Sequence, residues 1–423
     1  MPYRPRIIDV ELDELLVGLA AISLEGPRGV GKTATAMQRA RRVIRLYESE
    51  QRQLVLADPK LLLGGPYPTL IDEWQRLPQS WDEVRRAVDD DPSPSRFLLT
   101  GSATPSTPPT HSGAGRIVKL RMRPFSLAER DLDTPTVSLG EIMAGNRPDV
   151  EGQSRVTLAE YAQEIVSSGL PGIRHLTGRA LRAQLDGYVS RIVDTDFTEA
   201  GHSVRRPEIL RSWLAAYAAA TSTTATFEAI RDAATPGLGD KPSRATLSPY
   251  REVLERIWIL DPLPAWTPGR NQFSRLAGPA KHHLADPALA ATLLRVGADA
   301  LLAGKADGPV IPRDGTLLGS LFESLVTLSV RVYAQHNEAG VGHLRTKDGR
   351  REVDLIVERA DRKVVAIEAK LGSTVEDGDV RHLLWLRDRL GPDFLDGIVV
   401  YTGSRAYRRA DGIAVVPAAL LGP

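Results

Sequence analysis

The rhythm of apolar and polar positions divides the chain into three stretches. In the first, short apolar runs alternate with longer mixed segments. Val10–Leu19 reads as a short amphipathic helix, and Ala21-Ile22-Ser23-Leu24-Glu25 as a buried strand. Ala34–Leu46 contains no Gly or Pro and predicts a helix. Gln53–Ala57, Pro68–Glu73, Arg96–Thr100 and Ile117–Leu120 are four further apolar runs of strand length. Pro105–Gly115, rich in Ser, Thr and Pro, predicts a loop.

In the second stretch the apolar spacing lengthens to the helical period. Asp131–Arg155 mixes polar residues, Gly and Pro and reads as a linker. Leu158–Ser167 is helical, and Gly169-Leu170-Pro171-Gly172 is a turn. Arg179–Phe197 carries a stripe at Leu181, Leu185, Tyr188, Ile192 and Val193, which predicts one long helix. Leu210–Thr221, Thr226–Ala234 and Ser243–Ile259 are further helices, and Trp258-Ile259-Leu260 resembles a small wing.

In the third stretch both periods appear. Lys281–Asp286 reads as a strand, Ala288–Ala303 and Leu317–Ala334 as helices. His343–Thr346 and Glu352–Val357 flank the turn signal Asp348-Gly349. Val364–Lys370 is a strand with Glu368 and Lys370 on one face. Arg381–Leu390 is a helix and Asp396–Tyr401 a final strand. The class is α/β, divided into a head (1–130), a helical, winged-helix-like middle (131–270) and an α/β tail (271–423).

The turn between the first strand and the first long helix carries candidate chemistry. Gly26-Pro27-Arg28-Gly29-Val30-Gly31-Lys32-Thr33 is G-x-x-x-x-G-K-T, a phosphate-binding loop in the strand–loop–helix context it requires. Glycines let backbone N–H groups approach phosphates, and a helix start adds unpaired donors and a positive dipole end. Lys32 is placed to reach the β- and γ-phosphates of ATP, and the Thr33 hydroxyl to ligate Mg²⁺. One helix and one strand later, Asp72 ends an apolar run and is assigned to the same Mg²⁺. Glu73 follows as the group that polarises an attacking water. Thr100 or Ser102 ends the next run, where a hydroxyl can stand between Glu73 and the γ-phosphate.

Composition narrows the picture. A chain of 423 residues, 42% apolar and 25% charged, is long enough for two or three globular domains. The formal charge of +1 gives no global basic field, so any nucleic-acid contact must come from a local patch. Between Arg174 and Arg256, twelve basic residues face ten acidic ones, which favours packing over DNA contact for the middle helices. The absence of cysteine excludes disulfides, thiolate metal sites and cysteine nucleophiles. His282-His283 lack a nearby third ligand and read as packing or surface histidines. The apolar runs fall short of a membrane span, and Met1–Arg6 lacks a signal-peptide core. The expectation is a cytoplasmic protein without membrane contact.

Several boxes occur in a fixed order: Gly26–Thr33, Leu70-Ile71-Asp72-Glu73-Trp74-Gln75-Arg76-Leu77-Pro78, Leu99-Thr100-Gly101-Ser102, and Gly115-Arg116 with Arg123-Pro124-Phe125-Ser126-Leu127-Ala128-Glu129. This order resembles the AAA-plus P-loop ATPases of bacteria and archaea that carry a C-terminal domain of uncharacterised function. The run before Asp72 departs from that family in being short and broken by Pro66 and Pro68. The resemblance covers most of the chain and implies ATP and Mg²⁺ as cofactors. It also implies Gly26, Pro27, Arg28, Gly29, Val30, Gly31, Lys32, Thr33 and Ser102 as nucleotide contacts. Arg116 stands where such proteins carry a finger that reaches a neighbouring subunit's nucleotide; the alternative is an arginine that holds its own loop.

In the tail, Glu323, Asp354 and Glu368-x-Lys370 resemble the PD-(D/E)XK nuclease site. That resemblance implies a restriction-endonuclease-like fold in which Asp354 and Glu368 hold a divalent metal. Lys370 would orient or deprotonate the attacking water, assisted by Glu323. DNA or RNA is then the partner of an ATP-driven machine. The competing reading is a regulatory ATPase whose tail is a non-catalytic module for a protein partner. Monomer or homo-oligomer stays open.

Overall fold

The computed structural model describes residues 3–101, 112–199, 206–235, 244–268, 278–303, 316–346 and 348–423. A helix over Ile7–Gly18 leads into β1 (Ala21–Glu25), β2 (Arg42–Arg45), β3 (Thr69–Asp72), β4 (Phe97–Thr100) and β5 (Ile117–Arg121). These form a sheet in the order β2-β3-β4-β1-β5, and every pairing is parallel. A parallel sheet must be covered on both faces, and the period of two sorts its residues between two cores. Ile22, Leu24, Leu70 and Leu98 enter one core, whereas Ala21, Ile71, Phe97 and Leu99 enter the other.

Two expectations for the head fail. Ala34–Leu46 is not one helix: the helix covers Lys32–Met37, and Arg42–Arg45 turns back as an edge strand on β3. The β-branched pair Val43-Ile44 was the signal for that strand. Gln53–Ala57 is not a strand but the end of a helix over Ser49–Ala57, in which Val55 is buried and Leu54 and Leu56 are exposed. Ser102 lies outside the described residues, as does most of the Pro105–Gly115 loop.

In the middle, the helix predicted over Arg179–Phe197 is α-helical only for Gly178–Arg191. A π-helical turn follows over Ile192–Asp196, then a short helix over Phe197–Glu199. The helix Arg244–Arg256 buries Tyr250 and Leu254, with Leu247 and Val253 beside them. A residue inward on this face packs rather than reads a groove. Among the described residues, Trp258–Leu260 makes an isolated bridge from Leu260 to Leu284 instead of a two-stranded wing.

The presumed linker Asp131–Arg155 is tied to the far end of the chain. It carries β6 (Val137–Ser138) and β7 (Gly152–Gln153). The tail adds β8 (Gly340–Arg345), β9 (Glu352–Glu358), β10 (Val364–Lys370), β11 (Phe394–Tyr401), β12 (Arg405–Arg408), β13 (Ala414–Pro417) and β14 (Leu421–Gly422). Its sheet order is β7-β12-β13-β11-β10-β9-β8, with β6 on β14. Thus β11 is not the last strand, and Lys281–Asp286 forms isolated bridges to Leu263 and Leu260 rather than a sheet strand. Ala288–Ala303 is likewise two helices, Pro287–Leu293 and Ala298–Ala303, separated where Arg295 takes a left-handed φ of 56°.

The helix Leu317–His336 is the pillar of the molecule. It is the one described helix long and apolar enough to cross a membrane by length and composition, contrary to the expectation that no run is, and 67% of its apolar window is buried inside the fold. Leu321, Phe322, Leu325 and Val330 share a core with Leu355, Val365 and Ile367 of the tail sheet and with Leu12 and Leu16 of the first helix. The opposite face of that sheet packs on the helix Asp377–Leu390 through Val380, Leu383 and Leu386.

Candidate nucleotide site and tail carboxylate cluster

Strand register brings the head residues together. Asp72 lies opposite Thr100, and Thr100 opposite Leu24, one residue before Glu25 and the loop. The carboxyl ends of β1, β3 and β4 therefore meet at one edge, where ligands bind in open parallel sheets. The Thr33 Oγ1 donates to Asp72 Oδ1 at 2.7 Å, and Thr100 Oγ1 donates to the same oxygen at 2.6 Å. Thr33 and Asp72, two hard oxygen donors in contact, fit a magnesium ion.

The loop is shaped by what holds its carbonyls. Lys32, only 6% exposed, donates from Nζ to the Gly26 oxygen at 2.8 Å and to the Pro27 oxygen at 2.9 Å. Tyr188 donates to the Arg28 oxygen at 3.0 Å, and Arg6 Nη1 to the Val30 oxygen at 3.0 Å. Burial pulls the Lys32 ammonium down to about 8, against the opposing pull of Glu73. An ammonium held by backbone carbonyls alone is a cation in want of an anion, which fits a nucleotide polyphosphate. The helix that follows has six residues, so the dipole contribution expected from a long helix is smaller than the sequence implied.

Glu73 sits beside this group in a left-handed conformation, φ 56° and ψ 46°. Such a conformation costs about 1–3 kcal/mol in a non-glycine residue and is found at functional positions. Its carboxylate accepts from Gln75 Nε2. Burial raises its pKa, while Lys32 lowers it. A carboxylate so raised is a better proton acceptor. Arg116 lies at the amino end of β5, away from this edge, with its Nε 2.6 Å from Asp89 Oδ1 of the helix Gln79–Asp90.

In the tail, β9 and β10 run antiparallel with Leu355 opposite Ile367. Just beyond the end of that pairing Asp354 and Glu368 share a side-chain hydrogen bond, and Asp354 Oδ2 accepts the Ala369 N–H at 3.0 Å. Glu323 arrives from the pillar helix. Lys370, with Nζ 3.8 Å from Asp379, acts on Glu368 by its charge, but another cation makes the direct contacts. It is Lys281, 1% exposed, with Nζ 2.9 Å from Glu323, 2.9 Å from Glu352 and 3.0 Å from Asp354. Burial would lower the Lys281 ammonium, but Asp354, Glu323 and Glu352 raise it well above its ordinary value. Burial, reinforced by Asp354, raises Glu323 to about 8 and Glu368 well above the usual range. Burial would raise Asp354 too, but Lys281 and the Ala369 N–H hold it low. With an ammonium seated on Asp354 and Glu323, these carboxylates do not fit a divalent metal as they stand. No group of three or more acidic or histidine ligands arranged for a metal occurs among the described residues.

His282 and His283 pack rather than ligate. His282 Nε2 meets the Ala225 oxygen at 2.7 Å and His283 Nδ1 meets Ser324 Oγ at 3.1 Å. Sequence reasoning did not single out Arg6, Tyr188, Lys281 or Glu352 for these sites. Arg6, Tyr188 and Lys281 come from segments remote from these sites, whereas Glu352 stands two residues before Asp354 on the same strand.

Comparison with known proteins follows the same division. Residues 20–130 match a family described as an AAA domain. Residues 158–300 and 318–421 match two domains of unknown function, DUF8612 and DUF4143. Two uncharacterised proteins, from Mycobacterium bovis and Mycobacterium tuberculosis, are each 26% identical over 198 residues, 45% of this chain. The match spans 39% of the length of these relatives. The Walker-type ATPase of Pyrococcus abyssi is similar with a TM-score of 0.40 and 17% identity, over 68% of this chain and 94% of that one. The head of the chain is thus similar, over residues 20–130, to AAA-type P-loop ATPase domains.

Proposed function

We propose that the chain is a magnesium-dependent ATPase whose tail is a binding module rather than a metal nuclease. The convergence of Lys32, Thr33, Asp72 and Glu73 on one sheet edge carries the first part. Lys32 exchanges its loop carbonyls for phosphate oxygens, and Thr33 and Asp72 hold the metal, which when bound supplies neutralisation of phosphate charge. Glu73 orients a water and accepts its proton. Lys32→Ala is expected to abolish binding of a fluorescent ATP analogue. Glu73→Gln is expected to keep binding and lose turnover by a factor of roughly 10² or more. Turnover at the wild-type rate in either variant would overturn the reading.

The second part rests on Lys281. The nuclease-like resemblance of Glu323, Asp354, Glu368 and Lys370 suggested a tail that cuts DNA or RNA. An internal ammonium bound to Asp354 and Glu323 favours the other reading, a tail that grips a nucleic-acid or protein partner without cleavage. Incubation of the full chain with DNA and RNA in magnesium or manganese is expected to give no cleavage. Cleavage that is lost in both Asp354→Ala and Glu368→Ala would restore the nuclease assignment.

A further inference from the structure

The phosphate loop is gripped from outside by the middle of the chain. Tyr188 holds the Arg28 carbonyl at 3.0 Å. The Arg28 guanidinium is bound by two acids from the π-helical turn and the short helix after it: Nη1 lies 3.0 Å from Asp196 and Nη2 lies 2.9 Å from Glu199. The second oxygen of Glu199 takes Arg76 at 3.0 Å. Arg76 stands in the short turn that follows Glu73. Arg191 adds a weaker approach to Asp196, at 3.6 Å.

This knot is coupled to the nucleotide pocket. Burial opposes the charge on Arg28, whereas Asp196 and Glu199 sustain it, and Glu73 adds to their effect. Arg28 in turn weighs on the charge of Lys32. The guanidinium therefore stands within electrostatic reach of both the phosphate-binding ammonium and the water-orienting carboxylate. Arginine forks bind carboxylate and phosphate with the same bidentate geometry, so the two anions are direct competitors.

We propose that Asp196 and Glu199 occupy Arg28 and Arg76 in place of nucleotide phosphate, and that ATP displaces them and frees the segment 178–199 from the loop. The inference rests on the ATP reading above. An arriving polyphosphate both attracts the two arginines and repels the two acids at close range. The π-helical turn is the point at which the segment yields: re-registering one residue there returns it to ordinary helix and turns the acids away from the loop. Binding in the head is thus converted into movement of helices that pack against the tail.

The test uses the full chain and compares wild type with Asp196→Asn/Glu199→Gln. In wild type, ATP with magnesium is expected to raise backbone hydrogen exchange across 178–199. In the double variant that exchange is expected to be high already and indifferent to ATP, and ATP is expected to bind about tenfold tighter. A gain of affinity is not an outcome of misfolding. Should the double variant not fold, Glu199→Gln alone must still bind ATP more tightly than wild type. Equal or weaker binding in the variant that folds, or exchange across 178–199 that ATP leaves unchanged in wild type, overturns the proposal. Failure of the wild-type chain to bind ATP would overturn the ATP reading and this inference with it. Binding that is lost in Lys32→Ala but unaltered by the acid substitutions overturns this inference alone.

Discussion

Glu323 is a carboxyl whose ordinary pKa of 4.5 is raised to about 8 by burial and by the neighbouring Asp354. Between those two values the folded chain keeps a proton that the unfolded chain has released. The folded state then binds more protons, so stability falls as pH rises through this window. Its contribution is complete below 4.5 and lost above about 8. Thermal melts from pH 5 to 9 should show a decline that Glu323→Gln makes shallower; a slope unchanged by that substitution would contradict the burial of the carboxyl. The same cluster shows what residue identity conveys and what it does not. The spacing of Asp354 and Glu368 on paired strands was legible, because a two-residue period and one turn determine which side chains face each other. The cation was not: Lys370 shares a face with Glu368, yet Lys281, more than seventy positions before Asp354, is the one that meets it.

At the scale of the element, the loop after β1 depends on how closely the backbone just past the end of β5 approaches it. Gly26 has φ +152°, and a Cβ there would lie 2.2 Å from the Met122 carbonyl oxygen. That atom is backbone and cannot swing aside. Gly26→Ala must displace the loop or the end of β5, so we expect loss of ATP binding together with lowered thermal stability; wild-type nucleotide affinity would refute this. The glycine, the adjacent strand and the acid at the end of β3 were readable from pattern alone. The misread elements share a cause. Gln53–Ala57 has the apolar density of a strand but lies on a helix that places Leu54 and Leu56 in solvent, and Arg42–Arg45, inside a run free of Gly and Pro, pairs with β3 as a strand. Short apolar runs carry no period long enough to separate helix from strand.

At the scale of the whole molecule, head, middle and tail meet on one buried carboxylate. Asp261 receives Arg121 at 3.0 Å and Arg123 at 3.1 Å from the head, and Arg331 at 2.8 Å from the pillar helix. Burial would raise the pKa of Asp261, but Arg331, Arg123 and Arg121 hold it far below the ordinary range. Removing the acid leaves three guanidinium groups crowded without a counter-charge, an effect of about 3–5 kcal/mol for a buried pair. Asp261→Asn is expected to lower the urea midpoint and to separate the unfolding of head and tail. A single transition at the wild-type midpoint would show that the junction does not couple them. Nor is Asp131–Arg155 a free linker: β7 extends the tail sheet on β12 and β6 pairs with β14, and the three parts share one core rather than hang from tethers.

The sequence by itself determined the phosphate loop, the acids that follow it, the strands β1, β3, β4 and β5 of the head and the acids of the tail strands. These depend on local backbone geometry and on periods a few residues long. Tertiary structure alone decided which charges meet. Lys281 in the acid cluster, Asp196 and Glu199 on Arg28, and the three arginines on Asp261 join segments far apart in the chain. A buried charge takes whichever counter-charge the packing brings within about 3 Å, because the cost of leaving it unpaired there exceeds any preference written into its neighbours.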